Sequence, residues 1–284
     1  MSNTTSIEWT EHTWNPFVGC SIKSAGCTNC YAMKLAVRLE AFGQDAYSGT
    51  TANGVWTGRI NRASDATFSK PLRIKRPSIF FVNSMSDFWH EGANDLWRRS
   101  ALEIMEKTPH HKYQILTKRP ELINPTLRRI GMDVPPNVWI GASVERRDVA
   151  FRADALRDVR AGTKFLSIEP LIGPIDTLNV KGIDWVITGG ESGPGRRPCE
   201  LDWVREARDI TKSESAAFFH KQWGHYVDNP LVRQGMPISE AKIADPHGKG
   251  GALLDGVLWR EFPKQPASQL PFPTFELFDH KLLG

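Results

Sequence analysis

Six short runs of apolar, β-branched and aromatic residues recur along the chain. They are Ile79–Asn83, Tyr113–Thr117, Val138–Ala142, Lys164–Ile168, Trp185–Thr188 and Ala217–His220. Continuous apolarity over such lengths suits strands buried on both faces, as in parallel sheets. A shorter run, Phe17-Val18-Gly19, reads as a first strand. Helical patterns lie between the runs: Tyr31, Leu35, Leu39 and Phe42 share one spacing, and Leu96, Trp97, Ala101, Ile104 and Met105 share another. Segments near 145–159 and 201–212 also read as helices. Alternation of strand and helix implies right-handed βαβ units. The expected fold is therefore α/β, a full or partial (β/α) barrel with parallel strands and an irregular C-terminal extension. Residues 1–225 are assigned to the barrel, with a Gly-, Ser-, Thr- and Asn-rich insertion loop near 44–75. Residues 226–284 are assigned to the extension, anchored by Leu253, Leu254, Trp259 and Phe262.

In parallel α/β folds, ligands bind at the carboxyl ends of the strands. Those ends are unusually polar here. They give Asn83, Ser84, Ser86 and Asp87; then Lys118 and Arg119; then Glu145, Glu169 and Glu191; and finally Lys221. Turn chemistry accounts for the glycines among them, but less readily for so many charges on one rim.

Between the first short run and the first helical pattern stand Cys20, Cys27 and Cys30, spaced C-x6-C-x2-C. Three neighbouring thiolates can hold one soft metal centre, one ligand short of a closed site. The readings are a 4Fe–4S cluster with an open iron, a structural zinc completed by a histidine such as His12, or a zinc deaminase. The deaminase would carry H-x-E and P-C-x-x-C; here Gly26 precedes the CxxC pair, and His12 is followed by Thr13-Trp14. The fourth cysteine, Cys199, reads as a packed residue, or as a hydrogen or thiyl donor over the site. Glu169 or Glu191 could equally form rim salt bridges with Lys118 or Arg119.

The net charge is +4 and the isoelectric point near 8.9, which permits nucleic-acid binding. Lys118, Arg119, Arg196, Arg197 and Lys221 are candidates for a basic mouth, and Trp89 and Trp223 for stacking on a base. No run approaches a membrane span and no signal peptide is evident, so a cytoplasmic location without membrane partners is expected.

The chain resembles the three-cysteine-motif family of phage and bacterial proteins, which is related to the radical S-adenosylmethionine (SAM) superfamily. The resemblance rests on Trp14-Asn15-Pro16, Gly19-Cys20, Gly26-Cys27-x-x-Cys30-Tyr31-Ala32, Ser86-Asp87, Leu116-Thr117-Lys118-Arg119-Pro120, Ser167-Ile168-Glu169-Pro170, Gly189-Gly190-Glu191-Ser192-Gly193 and Leu254-Asp255-Gly256-x-x-Trp259. It spans residues 7–263. The superfamily implies that Cys20, Cys27 and Cys30 ligate a 4Fe–4S cluster whose open iron binds SAM, which one electron cleaves to a 5′-deoxyadenosyl radical. Ser86, Asp87, Glu169 and the backbone at Gly189 and Gly190 become cofactor-binding candidates, and Lys118 and Glu191 catalytic ones. The chain departs from the superfamily in spacing, which is usually C-x3-C-x2-C. It also has Asn29 where an aromatic residue usually precedes the last cysteine, and its Gly-Gly-Glu lies on a late strand. The expected activity is that of a radical-SAM-like enzyme modifying or repairing nucleic acid or a nucleotide, with room for a partner protein. The alternative is an iron–sulfur or zinc nucleic-acid-binding module without turnover.

Overall fold

Each of the six longer apolar runs becomes a strand of one seven-stranded sheet in the computed structural model, which describes residues 5, 7–242, 245 and 248–264. The strands are β1 (His12–Trp14), β2 (Ile79–Val82), β3 (Lys112–Thr117), β4 (Val138–Ser143), β5 (Thr163–Ile168), β6 (Trp185–Gly189) and β7 (Ala217–Gln222). They lie side by side in chain order, and every adjacent pair is parallel. No pairing joins β1 to β7 among the described residues, so the sheet is an open, partial barrel. The principal helices are α1 (Tyr31–Ala41), α2 (Asp95–Lys107), α3 (Ile123–Ile130), α4 (Phe151–Arg157) and α5 (Leu201–Ser213).

Side-chain alternation sorts the core into two faces. Phe80, Val138, Ile140, Leu166, Val186 and Phe218 face the helices and join one large core. Their neighbours Phe81, Trp139, Phe165, Trp185 and Phe219 point the other way and form a separate aromatic floor with Trp9 and Ile187. The floor is held by edge-to-face contacts such as Trp139–Trp185 and Trp185–Phe219, which offset ring quadrupoles favour.

The expected first strand is placed differently. Phe17–Val18 pairs antiparallel with Asn61–Arg62 in a separate ribbon, and β1 comes from His12–Trp14. Three residues of mixed polarity carry too little pattern to stand out in the sequence. The 44–75 region is not a bare loop. It holds the hairpin Thr51–Ala52/Val55–Trp56, the strand Asn61–Arg62 and the short helices Asp65–Phe68 and Lys70–Arg73.

At the far edge, residues 259–261 run antiparallel along β7, with His220 N donating to Trp259 O (3.1 Å) and Glu261 N to Phe218 O (3.1 Å). This covers an otherwise open sheet edge. Leu254 enters the main core, and Trp259 and Phe262 pack against the two cores; Leu253 is half-buried. The assigned extension also includes residues 243, 244, 246, 247 and 265–284, which lie outside the described residues. Among the described residues, no helix is long and apolar enough to cross a membrane.

Candidate metal centre

The parallel sheet puts all strand carboxyl ends on one rim, and the cysteine loop lies against that rim. Cys20 follows the Phe17–Val18 strand and Cys30 stands immediately before α1. Gly19 N donates to Met85 O at 3.1 Å, and Gly19 bridges Ser86 in parallel fashion, so the loop starts beside the end of β2. The buried side of α1 (Ala32, Met33, Ala36) packs on Val18, Trp56 and Met85, with Cys20 and Cys30 against the same small cluster.

Polar residues between the cysteines tie the loop to three strand ends. Ser24 Oγ donates to Glu145 Oε1 at 2.9 Å. Asn29 Nδ2 donates to Glu191 Oε2 at 3.0 Å. Arg119 Nη2 donates to Ser21 Oγ at 2.7 Å, and His90 Nε2 lies 2.8 Å from the same hydroxyl. Arg197 Nη1 also donates to Ala25 O at 3.0 Å. A Cβ on Gly26 would stand 2.4 Å from Glu145 Oε1, so only glycine lets the loop approach this carboxylate.

Each tethering group belongs to a matched ion pair. Glu145 is 1% exposed. It accepts from Lys118 Nζ and from Arg152 Nη1 at 3.0 Å. Burial alone would raise its pKa, but Lys118 and Arg152 outweigh burial and hold the carboxyl below the usual range. Burial opposes ionisation of Glu191 in the same way. Arg197 (Nη2–Oε1 2.6 Å, Nε–Oε2 2.9 Å) and Asn29 outweigh it and lower that pKa too. Asp87 spends both oxygens internally, on Thr117 Oγ1 (2.6 Å), Lys118 N (3.0 Å), Trp89 N (3.0 Å) and Arg119 Nη1 (3.1 Å). Glu169 accepts from Lys221 Nζ at 2.8 Å and from Gln222 Nε2 at 3.2 Å. Salt bridges thus form on the rim, but with partners other than those expected: Lys118 takes Glu145, Arg119 takes Asp87, and Glu169 and Glu191 take Lys221 and Arg197.

This pairing corrects the expected basic mouth. Arg119 is 1% exposed, Arg197 and Lys221 are engaged by rim acids, and Arg196 is paired with Asp228. Trp89 and Trp223 cannot stack on a base. They are 0% and 1% exposed, and both belong to the main core. Cys199 is fully buried in that core as well, and burial pushes its thiol pKa up.

Gly189 and Gly190 have packing reasons for being glycine. A Cβ on Gly189 would meet the Glu169 carboxyl carbon at 3.0 Å, and one on Gly190 would lie 2.2 Å from Trp223 O. Two rim oxygens, Ser86 Oγ and Asn83 Oδ1, are buried and have no hydrogen-bond partner among the described residues. Sequence reasoning missed Ser21, Ser24, Asn29 and Arg152. The first three were visible as polar residues between the cysteines. Arg152, between buried Ala150 and Ala153, was a cation facing the core.

The donor chemistry suits a thiolate-bound centre. All four cysteines are free, and three share this one loop. Cys20 Sγ donates to Ser21 O at 3.5 Å, and Cys27 Sγ accepts from Lys23 N at 3.5 Å. Burial pushes the Cys20 thiol up to about 12; Asp87 adds to this and Arg119 opposes it. Among the described residues, no three His, Cys, Asp or Glu side chains are already grouped as a metal would require.

The family described as "Protein of unknown function (DUF5131)" matches residues 4–263. A search of curated proteins returns no match. Among solved structures, a mutant of spore photoproduct lyase aligns with a TM-score of 0.43 at 12% identity, covering 78% of this chain and 58% of that one. Spore photoproduct lyase complexed with dinucleoside spore photoproduct aligns at 0.42 and 13% identity, covering 74% of this chain and 62% of that one. The chain therefore spans less than two thirds of the length of either. On the family match, the protein is a member of the DUF5131 family.

Proposed function

We propose that the chain is a radical-SAM-like iron–sulfur enzyme acting on nucleic acid or a nucleotide, with Cys20, Cys27 and Cys30 holding a 4Fe–4S cluster. One observation carries the reading. Three free thiols share a loop that Ser21, Ser24 and Asn29 pin to the ligand-binding rim of a parallel half-barrel. When bound, such a cluster supplies a single electron and an open iron for SAM, while the protein supplies position and exclusion of water.

Ser86 Oγ, beside the start of the loop and unpartnered, is a group for a polar atom of that cofactor. The Glu169–Lys221 pair keeps partial solvent contact, with side chains 21% and 19% exposed, and would meet the cofactor's charged end, with Gly189 beside it. Asp87 and Gly190 act through the backbone arrangement they fix. In this reading Lys118 and Glu191 are positioning residues: Lys118 sets Glu145, and Glu191 sets Asn29 and Arg197. In this reading residues 1–225 are the catalytic barrel and 226–284 its extension, of which residues 259–261 line the β7 edge.

The matched state of every rim carboxylate named above also suits a binding module without turnover, so the test must separate the two. Anaerobically reconstituted, dithionite-reduced protein should perturb its cluster's paramagnetic resonance on addition of SAM and release 5′-deoxyadenosine slowly. Glu169→Gln should weaken SAM binding and leave the cluster intact. A loaded cluster that ignores SAM would leave the binding module as the function.

A further inference from the structure

Helix α1 carries its apolar stripe outward. At about 100° per residue, Tyr31, Leu35, Arg38 and Phe42, the residue that caps the helix, fall within an arc of about 60°, and Lys34 lies about 40° outside it. Tyr31 is 60%, Leu35 39% and Phe42 81% exposed, and Lys34 and Arg38 are exposed as well. The helix already has its core contacts through Ala32, Met33 and Ala36, so this face is not needed for packing. Exposed aromatic and aliphatic side chains on one helix face mark an interaction surface when they are contiguous.

Charge identifies the occupant. Neither Lys34 nor Arg38 makes an ion pair among the described residues, in contrast to the cations of the rim. The helix's one acid, Glu40, lies on the opposite side and is taken by Gly49 N at 2.6 Å and by Thr51. Asp45, in the following turn, is the one exposed acid nearby in sequence. The stripe therefore sets unmatched positive charge between two exposed rings, a pattern suited to single strands: cations track phosphates while aromatic rings stack on bases. Duplex DNA hides its base faces and would use the cations alone. One ring is preset, because Tyr31 OH donates to Ser84 O at 3.0 Å. The stripe runs about 16 Å along the helix and starts at the residue after Cys30.

We propose that this outer face of α1 docks single-stranded nucleic acid and leads it to the cysteine loop. The choice of ligand rests on the proposed function above, whereas the surface itself does not depend on a cluster. A labelled short single-stranded DNA or RNA, titrated at low salt and followed by fluorescence anisotropy, should bind the full chain, and the matching duplex should bind more weakly. Phe42→Ala should lower single-strand affinity about tenfold, as loss of one stacked base does. Lys34→Glu with Arg38→Glu should lower it further and flatten the log–log salt slope by about 1.4, for two phosphate contacts. Circular dichroism of each variant should match the parent, since all three side chains are exposed. Absence of binding at tens of micromolar, or binding that these substitutions leave unchanged, overturns the proposal. So does a dimer in sedimentation that Phe42→Ala dissolves, because the face would then be a contact between copies. Protein that holds a cluster and cleaves SAM but binds no single strand refutes this surface alone.

Discussion

The rim of the half-barrel, to which the cysteine loop is tied, and the outer face of α1, which follows that loop in the chain, treat charge in opposite ways. On the rim, Glu145, Glu191, Asp87 and Glu169 each have a basic partner within the fold. On α1, Lys34 and Arg38 have none among the described residues and lie between exposed rings. Charges buried together hold a loop in place and cost stability if one partner is lost. Charges left at the surface beside apolar groups contribute little to folding and are free to meet a ligand. Net charge therefore says little about function until each cation's partner is known.

The comparison breaks most readily at Glu145. Glu145→Ala leaves Lys118 and Arg152 facing each other without an acid, and should cost about 3–5 kcal/mol in urea unfolding. A loss below about 1 kcal/mol would mean that the rim is not structural.

Acid should act on a similar scale. Burial holds the His111 imidazole down at about 4 and that of His220 at about 3, both below the ordinary value near 6.5. As pH falls below about 6.5 the unfolded chain binds protons that the native chain refuses. Each histidine should then lower stability by up to about 1.4 kcal/mol per pH unit, until its folded value is reached. Below the ordinary carboxylate range, loss of ionised Glu145 and Glu191 adds to the fall, because both have lowered folded values. Flat stability between pH 7 and pH 4 would contradict this burial.

Glu191→Gln sharpens the comparison within the rim. It weakens the contacts to Arg197 and Asn29 and should cost about 1–2 kcal/mol. Labelling of Cys27 and Cys30 by a thiol reagent should accelerate by more than this global loss explains. Phe42→Ala should have the smallest effect, within about 0.5 kcal/mol, despite removing a large apolar side chain.

Much of the architecture was legible because buried parallel strands are apolar on both faces; β2 to β7 stand out for that reason. β1 did not, since His12-Thr13-Trp14 is short and lies at an edge. The strand ends were found, but their roles were not. Periodicity cannot show that Lys118 meets Glu145 across two strands, or that Arg152 turns inward from α4. The stripe of Tyr31, Leu35 and Phe42 has the spacing of a core face, yet faces solvent, because the small residues Ala32 and Ala36 make the closer contact with Trp56 and Met85. Trp89 and Trp223 show the converse: large aromatics near the rim that fill the core.

The central claim is that Cys20, Cys27 and Cys30 hold an iron–sulfur cluster on the rim. Iron and sulfide analysis with paramagnetic resonance of anaerobically reconstituted protein tests it most directly. The account predicts about four irons per chain, lost in Cys20→Ala, Cys27→Ala and Cys30→Ala and retained in Cys199→Ala. Stoichiometric zinc without iron, or a cluster that survives Cys27→Ala, would contradict it.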